Sequence, residues 1–250
     1  MIQHGFRDRM RALIWATLVG LGGCASLPDA EEGAAAEALT DRMLAAIGYQ
    51  NWTERTAALS FTFDGASRQS YIWDLRRRLV QASWDEIVVR YSLNDFRAEI
   101  EEKGAPVSDP AMRAELLAEA NKKFVNDSFW FNPLLHVRAP GAHRGLVASA
   151  QGPALRVQYS SGGVTPGDAY LFRTDESGRA VEMQLWVSVL PIKGVRATLG
   201  GYQTGETGVS FPTENSLSIL SIRMLDVHMY ASYPPAGQAD PFAALAASGR

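Results

Sequence analysis

The spacing of hydrophobic residues changes from a helical to a strand period near residue 58. Leu39, Met43, Leu44 and Ile47 recur at helical spacing and predict an amphipathic helix that ends at Gly48. Hydrophobic and polar residues then alternate in AALSFTFDG, which is typical of a half-buried strand. Four more segments of this kind follow closely and favour an antiparallel meander: RQSYIWDL, RLVQASW, EIVVRYSL and DFRAEIEE.

A second helical pattern interrupts the strands. Ser108 is a suitable helix cap, Pro110 fits the first turn, and hydrophobic residues keep helical spacing from Met112 to Phe124. Pro133 ends the regular helix. Six further strand segments follow it: RGLVASA, ALRVQYS, AYLFRTD, AVEMQLWVSVL, VRATLGGYQ and LSILSIRMLDVHMY.

This order predicts an α+β fold. One antiparallel sheet of about eleven strands must curl or split, and two amphipathic helices need an apolar surface to cover. We therefore expect a curved sheet that forms an incomplete β-barrel, with the two helices plugging its open side. The domain spans residues 37–233, and the small-residue-rich stretch 234–250 is expected to be a flexible tail.

The chain contains one cysteine, Cys24, and its surroundings explain it. Three arginines precede an apolar run and then small residues, which is the order of a secretory signal peptide over residues 1–23. Leu21, Gly22, Gly23 and Cys24 resemble the lipobox of bacterial lipoproteins, in which the cysteine is acylated. A membrane-spanning helix is the alternative, but the apolar run is shorter than the roughly 18 to 20 residues that spanning needs. Residues 24–36 then form a tether.

Composition narrows the possible partners. The net charge is −3, so the chain has no basic surplus with which to neutralise nucleic-acid phosphates. Acyl chains on Cys24 would attach the protein to a membrane without spanning it. By analogy with lipoprotein sorting, Ala25 and Ser26 lack the aspartate that retains many lipoproteins at the inner membrane. We therefore expect the periplasmic face of the outer membrane within the cell envelope.

Three stretches resemble the carrier family of LolA and LolB and its poorly characterised exported relatives. They are GYQNW before the first strand, YIWD before a basic turn, and GGVTPGDAYLF followed by DESGRAVEMQLW. The resemblance covers roughly Leu39 to Tyr230. It implies an apolar cavity between sheet and helices that holds a lipid or the acylated end of another lipoprotein.

Five aromatic residues are candidates for lining this cavity, and each is equally suited to an ordinary core. They are Trp73, Trp84, Trp130, Phe131 and Trp186. In VSVLPIKGVR, Leu190 and Ile192 flank Pro191 where a polar turn is expected. These two residues are candidates for membrane contact, and a buried loop is the alternative. The run Arg76 to Arg78 is read as a solvated turn or a contact for anionic lipid headgroups, and Asp74 as the partner of one of these arginines.

The sequence offers little catalytic chemistry. It has no HExxH or GxSxG motif, and no glycine-rich phosphate loop. We therefore expect no catalytic residues, no metal and no cofactor. The favoured function is a lipid or lipoprotein carrier or acceptor. The alternative is a structural or assembly-associated envelope lipoprotein with the same fold, and a hydrolase is disfavoured. The sequence assigns neither a cargo nor an oligomeric state.

Overall fold

The computed structural model describes residues 26–161, 167–218 and 220–247. Four α-helices lie in these ranges: α1 (Ala34–Ala46), α2 (Tyr49–Glu54), α3 (Pro110–Phe131) and α4 (Ala243–Ala247), with a 3-10 helix at Pro133–His136. The predicted number of two helices is therefore wrong, although α1 and α3 match the two predicted helical patterns. Asp109, not Ser108, caps α3, because its side chain accepts a hydrogen bond from the backbone N–H of Met112. None of the helices in these ranges combines the length and apolarity that crossing a membrane requires.

Fifteen strands lie in the described ranges. They are β1 (Ala58–Asp64), β2 (Arg68–Asp74), β3 (Leu79–Trp84), β4 (Ile87–Ser92), β5 (Ala98–Glu102), β6 (Ala105–Pro106), β7 (Ala142–Val147), β8 (Ala154–Tyr159), β9 (Ala169–Thr174), β10 (Ala180–Trp186), β11 (Val195–Gly200), β12 (Gln203–Thr204), β13 (Ser210–Phe211), β14 (Glu214–Leu217) and β15 (Leu220–Tyr230).

Within the described residues, thirteen of these strands form one antiparallel sheet in the order β6-β5-β4-β3-β2-β1-β15-β14-β11-β10-β9-β8-β7. Strands β12 and β13 form a separate pair. The last long strand, β15, returns to pair with β1 and joins two halves of the sheet. We call β1 to β6 the first wing, and the remaining strands of this sheet the second wing. The sheet is not closed into a barrel, because β6 and β7 form its two edges.

The predicted count of about eleven strands was too low for two local reasons. The stretch LSILSIRMLDVHMY begins at Leu217, so residues 214–216 lay outside every predicted strand, although β14 forms there and pairs antiparallel with β15. Ser218 between them adopts a φ of 52°, a left-handed conformation that suits a tight turn. The two-residue strand β6 also adds to the sheet and is too short to give an alternating pattern.

The core lies on one face of the sheet, called the inner face. Helix α1 packs on β7 and β8 of the second wing, whereas α3 packs on β4 and β5 of the first. The hydrophobic side of α1 is buried through Leu39, Met43 and Leu44. One continuous cluster of buried residues joins both helices to both wings, so burial of apolar surface is the main stabilising contribution to this fold.

The two terminal segments cover parts of the opposite, outer face. Leu27 and Ala30 pack on a cluster that includes Trp186 and Leu171. At the other end, Phe242 packs on Leu79 and is fully buried. The structure therefore differs from the predicted tether and flexible tail, because residues 27–30 and 242–245 contact the sheet. The signal peptide and Cys24 lie outside the described residues.

Candidate functional site

Helix α3 meets the inner face of the first wing mainly through aromatic contacts. Phe124 packs edge-on against Trp73, with ring centroids 5.0 Å apart. Trp73 also lies 5.5 Å from Trp52 of α2. The Lys123 ammonium lies 5.6 Å from the ring centroid of Trp84. Burial of these apolar rings stabilises the interface, and the ring contacts fix the position of the helix only weakly.

One polar pair interrupts this apolar interface. The Tyr71 hydroxyl of β2 donates a 2.6 Å hydrogen bond to Asp127 of α3, and Asn126 donates a second at 2.8 Å. Asp127 is only 2% exposed. Burial raises the pKa of Asp127 to about 6, opposed by these two hydrogen bonds and the charge of Lys123. The strength of this contact therefore depends on the protonation of one carboxyl group.

Tyr91 places a second polar group near this pair. Its side chain, on β4, is fully buried. Among the described residues, the Tyr91 hydroxyl has no hydrogen-bond partner. Burial raises the pKa of Tyr91, so the hydroxyl stays neutral. A buried hydroxyl without a partner costs free energy that a ligand or water could recover.

The C-terminal end of α3 is fixed more firmly than its middle. Asn132 donates a hydrogen bond to the Ser210 carbonyl oxygen at 2.9 Å, and Asn215 donates to the Trp130 carbonyl oxygen at 3.1 Å. Phe131, between these two contacts, is completely buried. Backbone-directed hydrogen bonds of this kind fix the position of a chain segment. At the other end, Arg113 of α3 donates a hydrogen bond to the Ala98 carbonyl oxygen of β5 at 2.8 Å. Helix α3 is thus held by hydrogen bonds near both ends and rests on aromatic rings in its middle.

Four of the five predicted cavity residues lie together on the inner face of the sheet, and the fifth lies on the outer face. Trp84, Trp130 and Phe131 belong to the inner core, and Trp73 packs against it. Trp186 belongs to the separate outer-face cluster covered by residues 27–30. A ligand between α3 and the sheet would therefore be remote from Trp186.

Two surface pockets in the described part of the chain lie away from these aromatic residues. One surface pocket of about 380 Å³ lies beside Asp41, Tyr49 and Arg138. A second, of about 380 Å³, lies beside Thr198 and Ser216. None of the five predicted aromatics lines either pocket. Phe124 of α3 is in ring contact with Tyr71 and Trp73 of the sheet, so a ligand between them would have to separate the helix from these rings.

The hydrophobic loop after β10 is partly exposed. Val189 is 70% exposed, more than either predicted contact residue. Leu190 and Ile192 are half-buried, and Leu190 packs against the inner core. The Lys193 ammonium donates to the Val187 carbonyl oxygen at 2.6 Å and holds the loop compact. The side chain most available to a membrane is therefore that of Val189.

The arginine run is tied into the fold. Arg77 donates to Asp74 through its backbone at 2.8 Å and its side chain at 2.7 Å, which confirms the predicted pairing of Asp74. Arg76 donates to the Glu54 carbonyl oxygen at 2.7 Å. These hydrogen bonds favour a structural role of the arginine run in a turn over a contact with anionic lipid headgroups.

The three histidines in the described ranges are dispersed. His136 is half-buried beside Phe129, and partial removal from water lowers its pKa. His143 and His228 are exposed near single glutamates. In the ranges that the structure describes, no group of three or more His, Cys, Asp or Glu side chains could hold a metal ion.

The sequence analysis overlooked Asp127. It lies three residues from Phe124 and four from Phe131, on the buried stripe of α3. An acidic residue at a position of this stripe is the signal that could have revealed the polar pair. Its partner Tyr71 could not be identified, because the register between helix and sheet is a tertiary property.

Comparisons with known proteins add little to this geometry. No family model matches the chain, and no curated protein matches it. Among solved structures, the chain is similar to a DUF1329 family protein from Desulfovibrio piger, with 9% sequence identity and a TM-score of 0.41. The match covers 83% of this chain and 96% of that protein. A relationship to the LolA and LolB carriers is not shown and stays a prediction.

Proposed function

We propose that this chain is a lipoprotein of the bacterial envelope, anchored through Cys24 to the periplasmic face of the outer membrane. Its domain binds one acyl chain, of a lipid or of another lipoprotein, between α3 and the first wing. It thereby acts as a carrier or acceptor, without a catalytic step.

The attachment of α3 is the observation that carries this proposal. The helix is fixed by hydrogen bonds near its ends, through Arg113 on one side and through Asn132 and Asn215 on the other. Its middle rests on Trp73 and on the Tyr71–Asp127 pair. Separating this middle part from the first wing breaks the aromatic contacts and the hydrogen bond between Tyr71 and Asp127, while the strand hydrogen bonds of the sheet stay intact.

An acyl chain has the chemistry to take the place of the helix contacts. Each methylene group that leaves water contributes about 0.8 kcal/mol. A long chain can therefore offset the exposure of several aromatic rings. A polar head beside Tyr91 would also give its buried hydroxyl a hydrogen-bond partner.

Contact with the bilayer during transfer is assigned to the loop that contains Val189, Leu190 and Ile192. Val189 supplies the exposed apolar side chain of this loop. Exchanging its neighbours for charged residues is a poor test, because Leu190 packs on the core. We expect Val189→Glu to slow transfer to liposomes without changing stability or binding.

A second candidate is a structural or assembly-associated envelope protein that binds no cargo. The filled interior favours it, because Phe61, Tyr71, Tyr91 and Phe131 are each at most 2% exposed. Ligand binding separates the two candidates.

The test uses a soluble form that begins at Ser26, so that the contacts of residues 27–30 are kept. Native mass spectrometry should detect a co-purified amphiphile, and a fluorescent fatty acid should bind saturably with one site per chain. The matched variants Trp73→Phe and Trp186→Phe change the same residue type on opposite faces. Binding should alter tryptophan emission less in Trp73→Phe than in the parent, and equally in Trp186→Phe and the parent.

Two results would contradict the carrier. A folded protein that neither co-purifies with an amphiphile nor binds the fatty acid would favour the structural candidate. An emission response lost only in Trp186→Phe would place the ligand on the outer face.

A further inference from the structure

Residues 27–31, called the N-terminal segment, are built into the second wing. Glu31 and Leu146 exchange two backbone hydrogen bonds, of 2.9 and 2.8 Å, at the edge of the sheet. Arg156 donates a 2.8 Å hydrogen bond to the Pro28 carbonyl oxygen. Leu27 packs on the outer-face cluster. The segment is thus held by backbone, side-chain and apolar contacts.

Gly145 makes room for this segment. A Cβ atom at position 145 would lie 2.7 Å from the Cβ atom of Ala30, which is closer than carbon atoms pack. Any larger residue at position 145 would push the N-terminal segment away from β7. The docked position therefore depends on a specific residue of the sheet.

The length of chain that remains before this segment is short. Cys24 lies three residues before Leu27. An extended chain spans at most about 3.6 Å per residue, so the cysteine lies within about 11 Å of Leu27. An acyl anchor on Cys24 would hold the docked outer face close to the lipid headgroups.

We propose that the outer face of the second wing lies against the phospholipid bilayer, with α1 and α3 directed away from it. This inference rests on the acylation of Cys24 in the proposed function. The exposed Arg196 lies on this face and is suited to headgroups, whereas Arg156 and Gln184 beside it already donate to the carbonyl oxygens of Pro28 and Gly194. Arginine recognises lipid phosphate through paired N–H donors. The partner is therefore a bilayer surface.

The test compares labels on opposite sides of the sheet in the acylated protein. Acylation occupies Cys24, the only cysteine, so Arg196→Cys and Ala45→Cys each supply one free thiol. Residue 196 lies on the outer side of β11 and residue 45 on α1, and both are exposed. The fluorophore-labelled variants are reconstituted in phosphatidylcholine and phosphatidylglycerol vesicles that carry a headgroup-linked quencher.

We expect severalfold stronger quenching at position 196 than at position 45. Insertion of about twenty Gly and Ser residues between Ser26 and Leu27 should reduce the contrast, because it lengthens the linker. Gly145→Ala should also reduce the contrast, because it displaces the N-terminal segment. Circular dichroism verifies that each variant is folded.

Equal quenching at the two positions, or stronger quenching at position 45, overturns the orientation. A contrast that neither the spacer nor Gly145→Ala changes overturns the role of the N-terminal segment. Labelling with a fatty-acid analogue separates this failure from that of the proposed function. If the chain is not acylated, both the proposed function and the proposed orientation are wrong. If it is acylated and quenching is equal at the two positions, only the orientation is wrong.

Discussion

The two wings of the sheet bury their inner faces in different ways. On the second wing, α1 contributes Leu39, Met43 and Leu44, and its one buried polar side chain, Thr40, bonds back to its own helix at 2.8 Å. On the first wing, α3 places the carboxyl group of Asp127 against the sheet. The contact of α1 with the second wing therefore buries no carboxyl group of this helix, whereas the contact of α3 with the first wing depends on the protonation of Asp127. If one helix moves away from the sheet to admit a ligand, we expect that helix to be α3.

The largest effect is expected from a cavity in the second wing. Phe172 is completely buried there, so Phe172→Ala should lower the free energy of unfolding by about 3 to 5 kcal/mol. The loss should be the same at pH 5 and pH 8, because no titrating pair is involved. Urea denaturation measures it, with the exposed Val189→Ala as control. A loss of unfolding free energy that changes strongly with pH would contradict the difference between the two wings.

The next effect concerns the proton on Asp127. Its pKa in the folded protein is raised to about 6 from 3.8, so ionisation opposes folding. The stabilisation is complete below about pH 4 and is lost as pH rises through 6, a change of roughly 3 kcal/mol. Asp127→Asn should therefore be more stable than the parent at pH 8 and similar to it at pH 4.

Denaturant titrations across this pH range measure that difference. Glu101→Gln is the matched control on the same wing, because its side chain is 36% exposed and pairs with Arg90 at the surface. It should leave the pH profile nearly unchanged. An Asp127→Asn profile parallel to that of the parent would contradict the role given to the carboxyl group.

The smallest effect is expected at the C-terminal segment on the outer face. Arg77 bridges Asp74 and Asp240 and lies 5.6 Å from the ring centroid of Phe242. Lysine cannot reproduce this forked arrangement, so Arg77→Lys should cost about 1 kcal/mol. Limited proteolysis should then cut between residues 236 and 247 faster than in the parent. Unchanged cleavage would show that apolar contacts alone hold this segment.

The sequence was a good guide where one face of an element is buried. Alternation in AALSFTFDG predicted β1, and the spacing of Leu39 and Met43 predicted α1, because burial imposes these periods directly. The sequence was a poor guide where contacts between distant parts of the chain determine the structure. The terminal segments are rich in small residues, so nothing local indicated that Leu27 or Phe242 would be held by the sheet.

The candidate site shows the same division. Local pattern marked the aromatic residues as buried, but not the faces on which they lie, so Trp186 was grouped with Trp73 across the sheet. Asp127 stood on a hydrophobic stripe, yet its partner depended on how α3 crosses β2. Register between helix and sheet arises only when the whole core packs.

Hydrogen exchange of backbone amides in α3 and α1 tests the difference between the two wings most directly. Protection factors, corrected for the intrinsic pH dependence of exchange, should fall in the middle of α3 between pH 5 and pH 8 and stay constant in α1. The fall should disappear in Asp127→Asn. Equal and pH-independent protection in both helices of the parent would show that α3 holds to the first wing as firmly as α1 holds to the second at both pH values. It would contradict the opening of α3 as the route for an acyl chain.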